Sequence, residues 1–407
     1  MNIKKISVTL LPLFLFPFIF STSCDKEEKD KSKQYLSILM LLSRCTQSLM
    51  GGSVQGCTLS LDAVVTTFAG PSQGTTTSGD TDATGNSVRF QQPCNITTDG
   101  TNLYVADMYN NKIRKINIST QVVTTLAGPA QGSTTSGDTD ATGNAARFYI
   151  PQGITTDGTN LYVADRYNNK IRKINISTQV VTTLAGPAQG STTSGDTDAM
   201  GNAARFYAPT GITTDGANLY VADVGNNKIR KIVISTGAVT TLAGPAQGTT
   251  TSGDTDATGN AARFNAPEGI TTDGTNLYVT ESLNNKIRKI VISTGAVTTL
   301  AGPAQGTTTS GDTDATGNAA RFSIPRGITT DGKNLFVADF NNHKIRKIVI
   351  STGAVTTLAG PAQGTTTSGD TDATGNAARF NDPSDITTEG TNLYITDYVN
   401  NKIRKIE

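Results

Sequence analysis

From residue 63 onward the sequence repeats every 58 residues, as the step from Asp107 to Asp165 shows. The clearest marker is Leu-Tyr-Val-Ala-Asp, whose acid recurs as Asp107, Asp165, Asp223 and Asp339. Glu281 and Asp397 complete the series in Val-Thr-Glu and Ile-Thr-Asp variants. A chain of 407 residues ordinarily suggests two or three domains, but a fixed period makes each copy one supersecondary unit. In the second copy the pattern predicts short strands over 153–156, 161–165, 170–176 and 180–184. Asp157-Gly158, Asn168-Asn169 and Ser177-Thr178 form the turns between them. Thr, Gly, Asn, Val and Ile dominate the copies, as expected for strands joined by polar turns.

A single four-stranded sheet cannot bury both of its faces, yet both faces carry apolar residues, as in Lys170-Ile171-Arg172-Lys173-Ile174-Asn175-Ile176. Stacking such sheets around an axis buries them, and a closed ring leaves no long free edge. An open solenoid would instead need capping repeats. Residues 63–68 (Ala-Val-Val-Thr-Thr-Phe) read as a fourth strand without the preceding three, and the last copy stops after its third strand, 402–406. The two pieces complete one blade. The expectation is an all-β, six-bladed β-propeller over residues 61–407, closed by strand 63–68 pairing with 402–406.

The string Pro151-Gln152-Gly153 through Lys173-Ile174, with Val-Val-Thr-Thr-Leu-Ala-Gly after it, resembles the NHL repeat. Asn342-His343-Lys344 comes close to the motif behind that family's name. The resemblance covers about 63–407 and implies a propeller of the NHL type; activity does not follow from it, because propellers host many functions.

The copies differ in two places. One follows the second strand (Met108-Tyr109, Arg166-Tyr167, Val224-Gly225, Ser282-Leu283, Phe340-Asn341, Tyr398-Val399). The other precedes the first strand (Gln91-Gln92, Tyr149-Ile150, Tyr207-Ala208, Asn265-Ala266, Ser323-Ile324, Asn381-Asp382). After the intervening proline come Cys94, Gln152, Thr210, Glu268, Arg326 and Ser384. Antiparallel geometry puts both clusters at one end of the blades, around the channel mouth. A rigid scaffold with a varied rim is how loops carry recognition. Tyr109, Tyr149, Arg166, Tyr167, Tyr207, Glu268, Leu283, Arg326, Phe340 and Tyr398 are the candidate ligand-binding residues, suited to a protein or glycan.

The amino end reads as an export signal over 1–23. Lys4 and Lys5 precede an apolar run over 6–20, broken by Pro12 and Pro17 and too short to span a bilayer. Ser21, Thr22 and Ser23 before Cys24 resemble a bacterial lipobox, with serine where a leucine usually stands. That resemblance implies lipidation of Cys24 and a location in the bacterial cell envelope, at the outer surface or in the periplasm. Residues 25–33 are a mixed-charge tether, and 35–50 form a short helix, so 24–60 is a lipid-anchored linker. Cys45 and Cys57 have a spacing open to a disulfide, leaving Cys94 over.

Three kinds of chemistry come into question. The connector Asp254-Thr255-Asp256-Ala257-Thr258-Gly259-Asn260 imitates a calcium loop but lacks its final acid, so an Asx-turn tied by its own side chains is the expectation. The Arg and Phe that end the connector are expected to plug against the blade. The series Asp107, Asp165, Asp223, Glu281, Asp339 and Asp397 offers a weak cation ring, with hydrogen bonding to the following turn as the favoured role. Some related propellers are lyases that rely on histidine; this chain has one His, His343, on a turn where the other copies carry Asn. The basic Lys-Ile-Arg-Lys motif is expected on a solvated outer rim, and a net charge of +1 gives no bias toward nucleic acid. The reading is a monomeric, non-enzymatic binding or adhesion module without a cofactor; the alternative is a calcium-dependent, lactonase-like hydrolase acting in the channel.

Overall fold

The computed structural model describes residues 63–407. The export signal, Cys24, the 24–60 linker with its expected helix, Cys45 and Cys57 lie outside the described residues. Six four-stranded antiparallel sheets form six blades, with inner strands side by side around a central channel. Blade two comprises Pro151–Thr156, Asn160–Asp165, Lys170–Asn175 and Val181–Ala185, innermost strand first. Blade six is assembled from both ends of the repeat region. Val65–Ala69 pairs antiparallel with Lys402–Ile406, in the register Val65 with Ile406 and Thr67 with Arg404. The expected closure is therefore observed.

The inner strand starts two residues earlier than the sequence pattern indicates, at the proline. The reason is positional: the innermost strand is a sheet edge, where a proline's missing N–H leaves no ladder bond unmade.

Each core cluster lies between two blades, which explains why every sheet is apolar on both faces. Tyr104, Ala106 and Ile113 of blade one meet Phe148, Ile154, Leu161 and Val163 of blade two. At the closing junction Phe68, Ala69, Tyr394 and Ile403 of blade six meet Ile96, Leu103 and Val105 of blade one. The seam is packed like every other junction.

Near the axis the inner strands touch backbone to backbone. A Cβ placed on Gly153 would lie 1.9 Å from the Thr210 carbonyl oxygen, and one on Gly211 would lie 2.2 Å from that of Glu268. Glycine is required here by contact with the next blade. Gly153→Ala is expected to cost about 1–3 kcal/mol, because a closed ring cannot widen a single junction without disturbing the others. Urea unfolding measures this, and an unchanged midpoint would mean that the junctions open freely.

Candidate functional site

The third strand alternates side chains, so Lys112 and Arg114 share one face and Ile113 takes the other. The outer-rim expectation is corrected here: Lys112 and Arg114 are fully buried, and only Lys115 of the motif is half-exposed. Arg114 donates Nη1 to Asp107 Oδ2 at 2.7 Å and Nη2 to Asp82 Oδ1 at 2.6 Å. Its Nε also donates to Asp82 Oδ1 (3.1 Å), the remaining bonds go to the carbonyls of Thr81 (2.9 Å) and Arg89 (3.1 Å), and its guanidinium lies 5.2 Å from the Phe90 ring centre. Lys112 pairs with Asp80 and donates to the Ala130 carbonyl at 3.0 Å. A buried cation requires such complete pairing, since an unpaired charge in the interior is costly. The clasp recurs around the ring, as Arg172 with Asp165 and Asp140, and as Arg288 with Glu281 and Asp256.

The connectors are thereby explained, and the self-tied Asx-turn is corrected. Asp254 binds Lys286 and Asp256 binds Arg288, so the connector acids hold the third strand rather than their own loop. The Asp-Thr-Asp spacing matches the Lys-Ile-Arg spacing, which is the signal that sequence reasoning overlooked. Phe148 is buried as expected, while Arg147 caps the preceding turn through the Asn144 and Ala146 carbonyls, at 2.7 Å each. Each connector also touches the next: Gln131 Oε1 accepts from the Asp82 N–H at 3.0 Å, and Gln73 accepts from Asp372 at 3.3 Å across the seam.

The weak cation ring is corrected by the same geometry. Asp107, Asp165, Asp223, Glu281, Asp339 and Asp397 are fully buried, each bound to an arginine of its own blade. Asp107 further accepts from the Gln91 N–H and the Asn110 side chain, both at 2.8 Å. Burial raises its carboxyl pKa, opposed chiefly by the Arg114 charge. Among the described residues no group of three His, Cys, Asp or Glu side chains converges as a metal site.

The second asparagine of each turn sits in the left-handed region, as at Asn111 (φ 53°). Its Oδ1 accepts from the Ile150 N–H of the next blade at 2.8 Å. His343 replaces this asparagine: its Nδ1 accepts from the Asp382 N–H at 3.1 Å, and burial lowers its pKa, with the Asp382 charge opposing. The chain's one histidine thus has a positional task.

The variable clusters are hydrogen-bonded to one another. Tyr167 N–H donates to the Tyr149 carbonyl (3.1 Å), Gly225 to Tyr207 (2.8 Å) and Val399 to Asn381 (3.1 Å). They occupy one face together with the connectors. Tyr109, Tyr149, Tyr167, Tyr207 and Leu283 are exposed on it, between 41% and 56%. Phe340 and Tyr398 are corrected as exposed contacts. Phe340 is buried with the Arg326 guanidinium 3.5 Å from its ring centre, and Tyr398 packs on Cys94, Met108 and Ile150, where burial raises its phenol pKa. Arg166 is half-buried and donates to Gln152 Oε1 at 3.0 Å; Glu268 forms an ion pair with Arg326, Oε2 lying 3.3 Å from Nε.

Cys94, Gln152, Thr210, Glu268, Arg326 and Ser384 line a small cavity at the axis, so the varied residue after each proline reaches the channel mouth. Cys94 is buried, with Sγ 3.3 Å from Ser384 Oγ. Sequence reasoning missed Asp385, one residue further on, which lines the channel beneath. Copies two to five carry glycine there (Gly153, Gly211, Gly269, Gly327), whereas copies one and six carry Asn95 and Asp385. Asp385 is buried and accepts from the Ile96 N–H at 2.9 Å and from the Asn95 side chain. With no cation to offset burial, its carboxyl pKa is pushed up to about 7.

No protein-family model matches the chain. In sequence it is 28% identical to NHL repeat-containing protein 2 of Gallus gallus over 345 residues, which is 77% of this chain and 46% of that protein. The chain therefore spans less than half the length of this curated relative. In structure it is similar to a Bacteroides thetaiotaomicron protein of unknown function (TM-score 0.61, 20% identity, 84% of this chain and 75% of the other). An auxiliary nutrient binding protein from the same organism gives a TM-score of 0.60 at 18% identity, over 85% and 76% of the two chains. At such identities the structural likeness is one of fold. With the repeat and the closed ring together, the described residues form a six-bladed β-propeller, similar in sequence to an NHL repeat-containing protein.

Proposed function

We propose that the chain is an exported, lipid-anchored protein of the bacterial envelope. It binds an extracellular or periplasmic protein or glycan through the varied face, without catalysis. One observation carries this reading: near-identical blades, held by near-identical buried clasps, differ mainly in side chains gathered on one face. The described chain also enters at the opposite face. Val64 and Glu407 exchange backbone hydrogen bonds of 3.3 and 3.1 Å at the end of the last third strand, remote from Lys402. The hydrolase alternative is weakened because its candidate carboxylates are bound by arginines.

Two outcomes are expected. Cys24→Ser should move the full-length protein from the membrane to the soluble fraction and abolish metabolic palmitate labelling; unchanged labelling refutes the anchor. The double variant Tyr109→Ala, Tyr167→Ala should lose at least about tenfold in partner affinity, the loss from removing about 1.4 kcal/mol. Its thermal midpoint should stay near the parent's. Retained affinity in this variant would refute recognition by the varied face.

A further inference from the structure

The varied face is not uniform around the ring. A cleft crosses the junction between blades two and three, lined by Tyr149, Arg166 and Tyr167 on one side and by Tyr207, Val224 and Gly225 on the other. Asn169 and Ala208 form its floor, and both amide functions of Asn169 are already committed: Oδ1 accepts from the Ala208 N–H and Nδ2 donates to the Thr192 carbonyl, each at 2.8 Å. The floor is thus fixed before any ligand arrives. Tyr149 and Tyr167 stand edge to face, 5.1 Å between ring centres and 88° between planes, and Arg166 lies 5.8 Å from the Tyr167 ring centre. Tyr207 lies over Gly225, where an added Cβ would come within 2.4 Å of its ring. That glycine, in the position occupied by Tyr109, Tyr167 and Leu283 in other copies, makes room for the ring. The three tyrosines are 41%, 50% and 50% exposed, and no carboxylate lines the cleft.

We infer that this cleft is a carbohydrate-binding site for neutral sugar rings of a glycan chain, resting on the reading of the varied face as a recognition surface. Rigid, half-exposed phenol rings offer flat apolar faces to the C–H side of a pyranose at little entropic cost, with polar edges for its hydroxyls. Arg166, held by Gln152 Oε1, supplies guanidinium donors in a fixed orientation. A peptide anchor would favour a deep apolar pocket that encloses a side chain. Here the lining is open, aromatic and polar, with Val224 as its one aliphatic branched side chain.

The test uses the full-length protein with cellohexaose, mannohexaose and chitohexaose as probes, read by saturation-transfer NMR and calorimetry. The expected result is saturation of the C–H protons of at least one of them, with Tyr167→Ala and Tyr207→Ala each weakening binding about tenfold. Lys333→Ala, in an exposed turn at the opposite end of blade five, should leave affinity unchanged. Binding to none of the three, or binding that both tyrosine variants retain with intact thermal midpoints, overturns the inference. A peptide-display selection separates it from the wider reading. Peptides that bind and are lost on Tyr167→Ala, with no sugar bound, sink the glycan site but uphold the varied face. Peptides and sugars both failing sink the two together.

Discussion

Arg172→Ala is expected to lower the stability of the propeller by about 3–5 kcal/mol, the usual cost of breaking a buried ion pair from one side. The substitution would strand Asp165, which is fully buried, and deprive Asp140 of its partner. It also removes the group that lies over Phe148 at 5.1 Å and bonds the carbonyls of Thr139 and Arg147. The connector, the second strand and the third strand meet at this one side chain, so its loss unlocks all three. Urea unfolding of the full-length protein measures the effect. A companion Asp165→Asn substitution should restore some of the loss, because the stranded charge then disappears. A loss below about 1 kcal/mol would mean that the pair behaves like an exposed surface bridge.

Asp385→Asn should have the second-largest effect, and with the opposite sign. The folded molecule holds the Asp385 proton up to about pH 7, against an ordinary value of 3.8. Stability from this group is therefore complete below the ordinary value and falls as pH rises toward 7, because the unfolded chain releases the proton first. The gap between the two values corresponds to roughly 4 kcal/mol once the carboxyl is ionised in the fold. An asparagine carries no such penalty and can still accept from the Ile96 N–H. The variant's thermal midpoint should rise relative to the parent's at pH 8 and differ little at pH 4. The groups around Asp385 (Asn95, Ile96, Thr396 and Cys94) include no cation to reverse the sign. Equal midpoints at pH 8 would show that the channel hydrates the carboxylate.

The predicted turns were legible because each rests on local chemistry. Asp157 accepts from the backbone N–H groups of Thr159 and Asn160 within its own turn, and no distant residue is needed. The exposed tyrosines were legible because comparison of copies isolates positions that packing leaves free. Phe340 and Tyr398 failed by the same comparison: variation marks a lack of shared constraint, and a varied residue can still be buried by its varied neighbours, as Phe340 is by Arg326. The Lys-Ile-Arg-Lys face failed because its partners are far along the chain. Asp140 lies 32 residues before Arg172, and nothing in either segment alone reveals the pairing.

The sequence by itself determined the repeat, the strands, the blade count and the closure, because these follow from period, turn chemistry and two faces that both need cover. Only the tertiary structure decided what the charges do. Burial changes the sign of a charge's contribution, and burial is set by which segments the closed ring brings together.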